Sequence, residues 1–359
     1  MTDRHTVIGM FSGGLDSILA ARIMVLEGFE VVALHFYTGF NDTLARELAR
    51  GPQGVPACAC TRGVLEKWTP SFEVADAARR VGARLLPMDV SGEEYFDLVS
   101  HPRYGYGSAA NPCLDCRAWL LGKAREVMES EGAILVFTGE VAGQRPMSQH
   151  KPALQLVMKR SGLEGRLLRP LSARLLEPTI PEREGMVNRD HLYDFQGRSR
   201  RPQQELARML GIDFYPSSGG GCLLTDPIFG RKFRDILSHS GDRRPTMREF
   251  DSLKAGRHLR LPGGLKAVTG RTERENLWLE ELFEGKVWVF DAREYPGASV
   301  FALGEPDEPD ARLVAAVAAR YSKGRGQAEV VVVARRGAET REYIVRPATQ
   351  EEIDPLIVQ

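Results

Sequence analysis

The chain has 359 residues, 43% of them apolar, and its 48 Lys and Arg balance 48 Asp and Glu to a formal net charge of zero. That length is long for one core and points to two or three domains, while the neutral total argues neither for nor against a polyanionic partner. No apolar run approaches the ~20 residues that cross a bilayer, and Met1-Thr2-Asp3-Arg4-His5 lacks a signal-peptide apolar stretch, so a cytoplasmic protein is expected.

Val7-Ile8-Gly9-Met10 predicts a buried strand, followed directly by Phe11-Ser12-Gly13-Gly14-Leu15-Asp16-Ser17 and a helix through Ile18–Ile23. A strand, a glycine-rich turn and a helix make an anion site. Gly13 and Gly14 permit positive φ and close approach to a ligand. The helix start offers free N–H groups and the positive end of its dipole. Ser12 and Ser17 add hydroxyl donors, and Asp16 offers a carboxylate able to hold Mg²⁺ beside a pyrophosphate. The plainer alternative is a tight turn with Asp16 as N-cap; the complete Ser-Gly-Gly-Leu-Asp-Ser string favours nucleotide binding. No Gly-Lys-Ser/Thr follows, which excludes a Walker loop.

Val31–Phe36 reads as a second buried strand between Gly28 and Gly39. Helical segments at Phe72–Val81 and Tyr95–Val99 bracket a strand at Arg84–Met88, and a helix at Leu114–Glu131 leads into the strand Ala133–Phe137, which ends at Thr138-Gly139-Glu140. These β-α-β units predict an α/β fold with a parallel sheet covered by helices on both faces. Ligands in such sheets bind beyond the carboxyl ends of the strands, where the Ser12–Ser17 loop and Thr138-Gly139 would meet.

From Gly143 to Gly221 the pattern is irregular and rich in Arg, Pro and Gly, with a helix expected at Gln203–Leu210 closed by Gly211 in the left-handed region. Ser217-Ser218-Gly219-Gly220-Gly221-Cys222 is a glycine run delivering a cysteine, and Gly241-Asp242-Arg243-Arg244-Pro245 reads as a linker. Beyond it a smaller α+β unit is expected, with strands near Arg257–Leu261, Leu265–Thr269, Val287–Phe290 and Glu329–Val333 and helices near Glu273–Phe283 and Ala311–Tyr321. The division is then 1–170, 171–240 and 241–359. Charge is uneven: Val187–Glu275 holds 17 Lys and Arg against 11 Asp and Glu, and Asn276 to the C-terminus 10 against 15. A basic middle is compatible with a polyanion lying across one face.

Five cysteines, Cys58, Cys60, Cys113, Cys116 and Cys222, do not form a disulfide pattern. Asn111-Pro112-Cys113-Leu114-Asp115-Cys116 sets two thiols at the mouth of a helix, where the dipole lowers a thiol pKa. A redox dithiol, half of a zinc site with Cys58 and Cys60, and iron–sulfur ligation with Cys222 as third ligand are all open, beside the plain reading of buried small hydrophobes.

Taken together, the Ser12–Ser17 loop, Asn111–Cys116, Thr138-Gly139-Glu140 with Gly143-Gln144-Arg145-Pro146-Met147-Ser148-Gln149, and Gly221-Cys222 resemble the tRNA sulfurtransferases of the pyrophosphate-loop ATP-pyrophosphatase superfamily. These include the 4-thiouridine synthetases and the 2-thiouridylases. The resemblance spans about residues 5 to 230 and implies a HUP-like parallel-sheet domain that adenylates a uracil oxygen with ATP. It implies that Ser12, Gly13, Gly14 and Ser17 cradle phosphates, Asp16 binds Mg²⁺, Leu34 and Phe36 flank adenine, and Gly139 lines its far side. Members with three such cysteines hold a 4Fe–4S cluster, here through Cys113, Cys116 and Cys222, while others use two cysteines as nucleophile and persulfide carrier. Sulfur would come as sulfide or from an external donor, and 4-thiouridine is the expected product. Arg145, Arg198, Arg200 and Arg201 are expected against tRNA. The stretches Gly256–Leu261 and Gly270–Asn276 are similar to the RNA-binding domain of the NFACT fibronectin-binding and quality-control proteins. The competing functions are an ATP-dependent amide ligase acting on a small molecule and a non-catalytic RNA-binding factor.

Overall fold

A computed structural model describes residues 5–41, 72–216 and 221–358. The described residues through Phe40 and from 72 to Gly221 form one compact unit; Asn41 and the residues from Cys222 form a second. Residues 171–240 are therefore divided between the two. Cys58 and Cys60 lie outside the described residues.

In the first unit, β1 (Thr6–Met10), β2 (Glu30–Tyr37), β3 (Arg84–Asp89), β4 (Val136–Thr138) and β5 (Leu167–Leu168) form a parallel sheet in the order β3-β2-β1-β4-β5. Ile8 sits in register with Val32 on one side and Val136 on the other. Alternation along the strands sends Val7, Val31, Ala33, Leu135 and Phe137 into one core with helix α1 (Leu15–Leu26). Ile8, Val32, Leu34 and Val136 face a second core containing Leu121, Ala124 and Val127 of the helix Cys113–Ser130. Burial on both faces is why these strands read as continuous apolar runs. Gly9 has a packing reason: a Cβ there would lie 2.3 Å from Cζ of Phe137, whose ring crosses β1.

The strand order reverses between β1 and β4, so the loops leaving their carboxyl ends diverge and leave a crevice. The expected helix at Gln203–Leu210 is the helix Arg201–Met209, and Gly211 follows it at φ +65°. The stretch expected to be irregular contains a further helix, Lys151–Arg160, whose N-cap His150 accepts the Ala153 N–H at 3.3 Å. It is short, and its buried residues, Ala153, Leu154 and Val157, make too brief an apolar stripe to stand out.

The second unit is built on an antiparallel sheet ordered β11-β10-β8-β9-β7-β6. Its strands are β6 (Arg257–Arg260), β7 (Lys266–Thr269), β8 (Trp288–Ala292), β9 (Val300–Leu303), β10 (Val330–Arg336) and β11 (Glu339–Val345). The helix Glu308–Arg320 packs on one face through Ala311, Val314 and Ala318, and Leu279, Leu282 and Phe283 of the helix Glu273–Phe283 pack with Val268 and Phe301. β9 and β11 escape the sequence reading; β11 is an edge strand whose first four residues are exposed, so it lacks a clean alternation. Gly241–Pro245 is no linker between units: it lies within the second, where Arg243 forks onto both Glu249 oxygens at 2.7 Å. Among the described residues, no helix is long and apolar enough to cross a membrane.

Candidate nucleotide and thiol site

The loop after β1 is set from beneath by a buried histidine. Burial lowers the His35 pKa below its ordinary value, although its bond to the Phe11 carbonyl opposes this. The ring is therefore neutral, and Nδ1–H donates to that carbonyl at 2.7 Å. Phe11 N–H donates to the Leu34 carbonyl at 2.8 Å, so the chain stays in the sheet up to the first loop residue. The turn then needs one left-handed residue, Gly13 at φ +75°. Gly14 is extended at φ −84°, which corrects the expectation that both glycines turn with positive φ. It is the N-cap of α1 and offers no side chain to the first-turn N–H groups. Asp16 is the second helical residue and not the cap. Ser12 Oγ lies 3.2 Å from Ser17 Oγ, and the Ser17 hydroxyl donates to the Gly14 carbonyl at 2.8 Å.

Thr138-Gly139 does meet this loop. A Cβ on Gly139 would stand 2.4 Å from the carbonyl carbon and oxygen of Asp16 and 2.6 Å from Ser17 N, so only glycine fits. Asp16 Oδ2 accepts from Gln144 Nε2 at 3.1 Å and faces Arg200 Nη2 at 3.8 Å. Its other oxygen, Oδ1, is buried with no hydrogen-bond partner among the described residues. A buried bare carboxylate oxygen is costly unless a cation or donor completes it, and a hard divalent cation suits it. Asp16 thus fits the Mg²⁺ that accompanies a nucleotide. Leu34 and Phe36, expected beside adenine, sit in the second core of the sheet, with Leu34 wholly buried.

Beyond Gly139 the chain enters a buried ionic knot. The Glu140 carboxylate accepts from Arg117 Nη1, from Arg169 Nε at 2.9 Å and from the Thr138 hydroxyl at 3.1 Å. Burial pulls both guanidinium pKa values down, each to about 10. Arg117 lies one residue past Cys116, so Glu140 ties the thiol helix to the residues that close the phosphate loop. Sequence reasoning picked out the Thr138-Gly139-Glu140 string but gave Glu140 no partner, and missed Arg117 and Arg169 altogether. The only local signal is the position of Arg117 one helical turn beyond Cys113.

Cys113 opens its helix and accepts Asn111 Nδ2–H at 3.2 Å; Cys116 Sγ lies 3.0 Å from the Tyr95 hydroxyl. The dipole argument fails for Cys116: burial pushes its thiol up to about 11, outweighing the Tyr95 bond and the Arg117 charge. Among the described residues, no group of three His, Cys, Asp or Glu side chains could hold a metal ion. The first unit supplies two of the three thiolates that a three-cysteine cluster needs. Cys222 belongs to the second unit, where it pairs with Asn41 in an isolated bridge and its carbonyl accepts the Thr225 hydroxyl at 2.6 Å. The described residues of the first unit alone therefore do not make a three-cysteine cluster site. Of the arginines expected against RNA, Arg145, Arg198 and Arg201 are exposed, whereas Arg200 turns toward Asp16.

Comparison with known proteins agrees with the resemblance drawn from the motifs. Residues 256–357 match the family model of the NFACT protein RNA binding domain. The chain is similar to the tRNA-specific 2-thiouridylase of Corynebacterium efficiens, at 31% identity over 38% of this chain and 34% of that protein. It is also similar to that of Geotalea uraniireducens, at 26% identity over 68% of this chain and 65% of the relative. The chain thus spans about a third of the length of the first of these relatives. Among solved structures it is similar to a 4-thiouridine synthetase bound to RNA and ATP, with 15% identity and a TM-score of 0.32 over 58% of this chain and 52% of that one. A second likeness, to the C-terminal part of the fibronectin/fibrinogen-binding protein of Streptococcus suis, has 14% identity and a TM-score of 0.25 over 68% and 90% of the two chains.

Proposed function

We propose that this protein is an ATP-dependent tRNA sulfurtransferase of the cytoplasm, built as a pyrophosphate-loop catalytic unit followed in the chain by an RNA-binding unit. The observation that carries the reading is the junction at Gly139. The glycine closes on the backbone of Asp16, and the next residue, Glu140, holds Arg117 beside the thiols of Cys113 and Cys116. An anion loop and a dithiol are thereby joined through two consecutive residues.

In this reading Ser12, Gly13, Gly14 and Ser17 receive the phosphates of ATP, Asp16 Oδ1 takes Mg²⁺, and Gly139 borders the nucleoside, while Leu34 and Phe36 stay in the sheet core. Bound Mg²⁺ would offset charge on the pyrophosphate as it leaves. The uracil oxygen attacks the α-phosphorus and the bond to the β-phosphate oxygen breaks. The base loses its N3 proton, and pyrophosphate departs with the bonding pair. Sulfur then attacks the activated carbon and AMP leaves, carrying the former carbonyl oxygen.

A 4Fe–4S cluster on Cys113, Cys116 and Cys222 is one sulfur carrier that the sequence resemblance implies. The Cys113–Cys116 pair can act alone. A donor loads a persulfide on one thiol, its terminal sulfur attacks, the other thiol releases the product by forming the disulfide, and a thiol reductant reopens it. Arg145, Arg198 and Arg201, with the unit at residues 256–357, would hold the tRNA backbone. The sequence resemblance puts sulfur at C4; the 2-thiouridylase relatives favour C2 as a second reading.

Nucleoside analysis of tRNA from cells with and without the gene tests the function. Loss of 4-thiouridine or 2-thiouridine supports it and names the position; unchanged thionucleosides defeat it. Anaerobic purification decides the carrier: about four irons per chain with broad absorbance near ~400 nm means the cluster, and an iron-free protein that still thiolates RNA means the dithiol.

A further inference from the structure

Arg200 does not belong with its exposed neighbours. Its backbone is fixed by the strand-like pairing of Ala142 with Gln196 and by the Gly197 N–H, which donates to the Ala142 carbonyl at 2.8 Å. Ser172 Oγ reinforces the junction, accepting from Ala142 N at 3.0 Å and donating to the Phe195 carbonyl at 2.6 Å. The segment before Arg200 is thus anchored to the loop that leaves β4, and the side chain reaches across to the phosphate loop. There Nη2 lies 3.8 Å from Asp16 Oδ2, an ion pair too long for a hydrogen bond. Its Nε is buried with no hydrogen-bond partner among the described residues.

Two buried polar atoms of opposite character, Asp16 Oδ1 and Arg200 Nε, are therefore both unsatisfied on side chains that face one another. They do not satisfy each other, and a third party with both cation-bound and acceptor oxygens would satisfy both. A phosphate carrying a divalent cation is such a group: the cation completes Asp16, and the phosphate oxygens accept from the planar guanidinium fork. Gln144, bonded to Asp16 Oδ2 at 3.1 Å, holds the carboxylate so that Oδ1 stays turned to the site.

Resting on the reading of this loop as an ATP site, we infer that Arg200 is a catalytic residue that binds the β- and γ-phosphates of ATP and receives the charge of the departing pyrophosphate, and that it is not an RNA contact. When the α-phosphorus is attacked, the bond to the bridging oxygen breaks and its electron pair stays with pyrophosphate. The fixed positive charge of Arg200 stabilises that oxygen cluster without taking or giving a proton. Arg198 and Arg201, exposed on either side, remain for the polyanion.

Calorimetric titration of the full chain with Mg·ATP, Mg·pyrophosphate, AMP and unmodified tRNA tests this, using R200Q, R200K and the double variant R198Q/R201Q. Loss of charge-assisted phosphate bonds predicts that R200Q binds Mg·ATP and Mg·pyrophosphate about tenfold to a hundredfold more weakly. AMP and tRNA affinities stay at the wild-type values, and R200K recovers part of the loss as a point charge without the fork. R198Q/R201Q shows the reverse, a flatter salt dependence of tRNA binding with unchanged ATP affinity. Unchanged AMP binding by R200Q also certifies its fold. Wild-type protein that binds Mg·pyrophosphate with R200Q equal to it overturns the role of Arg200 alone. Wild-type protein that binds neither ATP nor pyrophosphate overturns the ATP-site reading as well.

Discussion

The closest fit in the site is the one between Gly139 and α1, and it makes the sharpest prediction. An alanine Cβ at position 139 would sit 2.4 Å from the Asp16 carbonyl carbon and oxygen, a full ångström inside the 3.4 Å at which ordinary contact begins. The atoms met are backbone, in a helical turn already bonded from Ile18 N to the Gly14 carbonyl at 3.0 Å, so no side chain can swing away. Either β4 or the phosphate loop must move. Overpacking of this kind costs about 1–3 kcal/mol, or roughly 2–12 °C in Tm for a unit of this size. A displacement near 1 Å at the reacting phosphate is worth on the order of 10²-fold in rate. Gly14→Ala is the control: that Cβ would meet only Ser12 Oγ at 3.5 Å, and the backbone is already in a region open to any residue. Thermal unfolding of both variants and ATP titration of Gly139→Ala are the assays, Gly14 being part of the phosphate cradle and so a control for stability alone. Gly139→Ala with wild-type Tm and ATP affinity would refute the claim that this glycine sets the loop.

Three further outcomes follow from the charges. Glu140→Ala leaves Arg169, only 4% exposed, without its carboxylate, and should cost about 3–5 kcal/mol in denaturant unfolding; Glu140→Gln, which keeps the shape and the acceptor, should cost less, and equal losses would argue against charge pairing. Cys116, its thiol held near 11, should react with iodoacetamide slowly at pH 8, its rate rising about tenfold per pH unit; a plateau below pH 9 in peptide mass spectrometry would contradict the burial argument. His258 is fully buried, and burial, aided by Lys232 and Lys266, holds its pKa well below the usual value of 6.5. The unfolded chain then binds the proton first, so stability contributed by neutral His258 is complete above pH 6.5 and falls below it, by at most about 1.4 kcal/mol per pH unit. Unfolding of the second unit should show that slope between pH 6.5 and 5, and a His258→Gln variant should flatten it.

What could be read from the chain and what could not divide along physical lines. The phosphate loop was legible because its function is local: one left-handed glycine, two hydroxyls and a helix start are consecutive in sequence. Gly139 was legible for a related reason, since the switch point of a parallel sheet brings the ends of β1 and β4 together whatever else the fold does. Glu140, Arg117 and Arg169 were not. Their bonds span 23 and 29 residues, and nothing in the spacing distinguishes a buried arginine from a solvated one. The dipole argument gives the wrong sign for Cys116 because it sees the helix terminus but not the burial of the thiol, which lies 3.0 Å from the Tyr95 hydroxyl. Arg200 was grouped with Arg198 and Arg201 by adjacency, yet a turn at Gly197 sends it a different way.

The electrostatics of the dithiol then constrain how it can work. Two guanidinium groups, Arg117 and Arg169, share the single carboxylate of Glu140, so the knot carries one excess positive charge beside the thiol helix. Arg117 does favour a Cys116 thiolate, but burial exceeds that effect, and the resting group at neutral pH is a thiol. An ionised Cys116 therefore requires something that removes the desolvation penalty: a bonded sulfur or a metal, either of which leaves no bare thiolate to solvate.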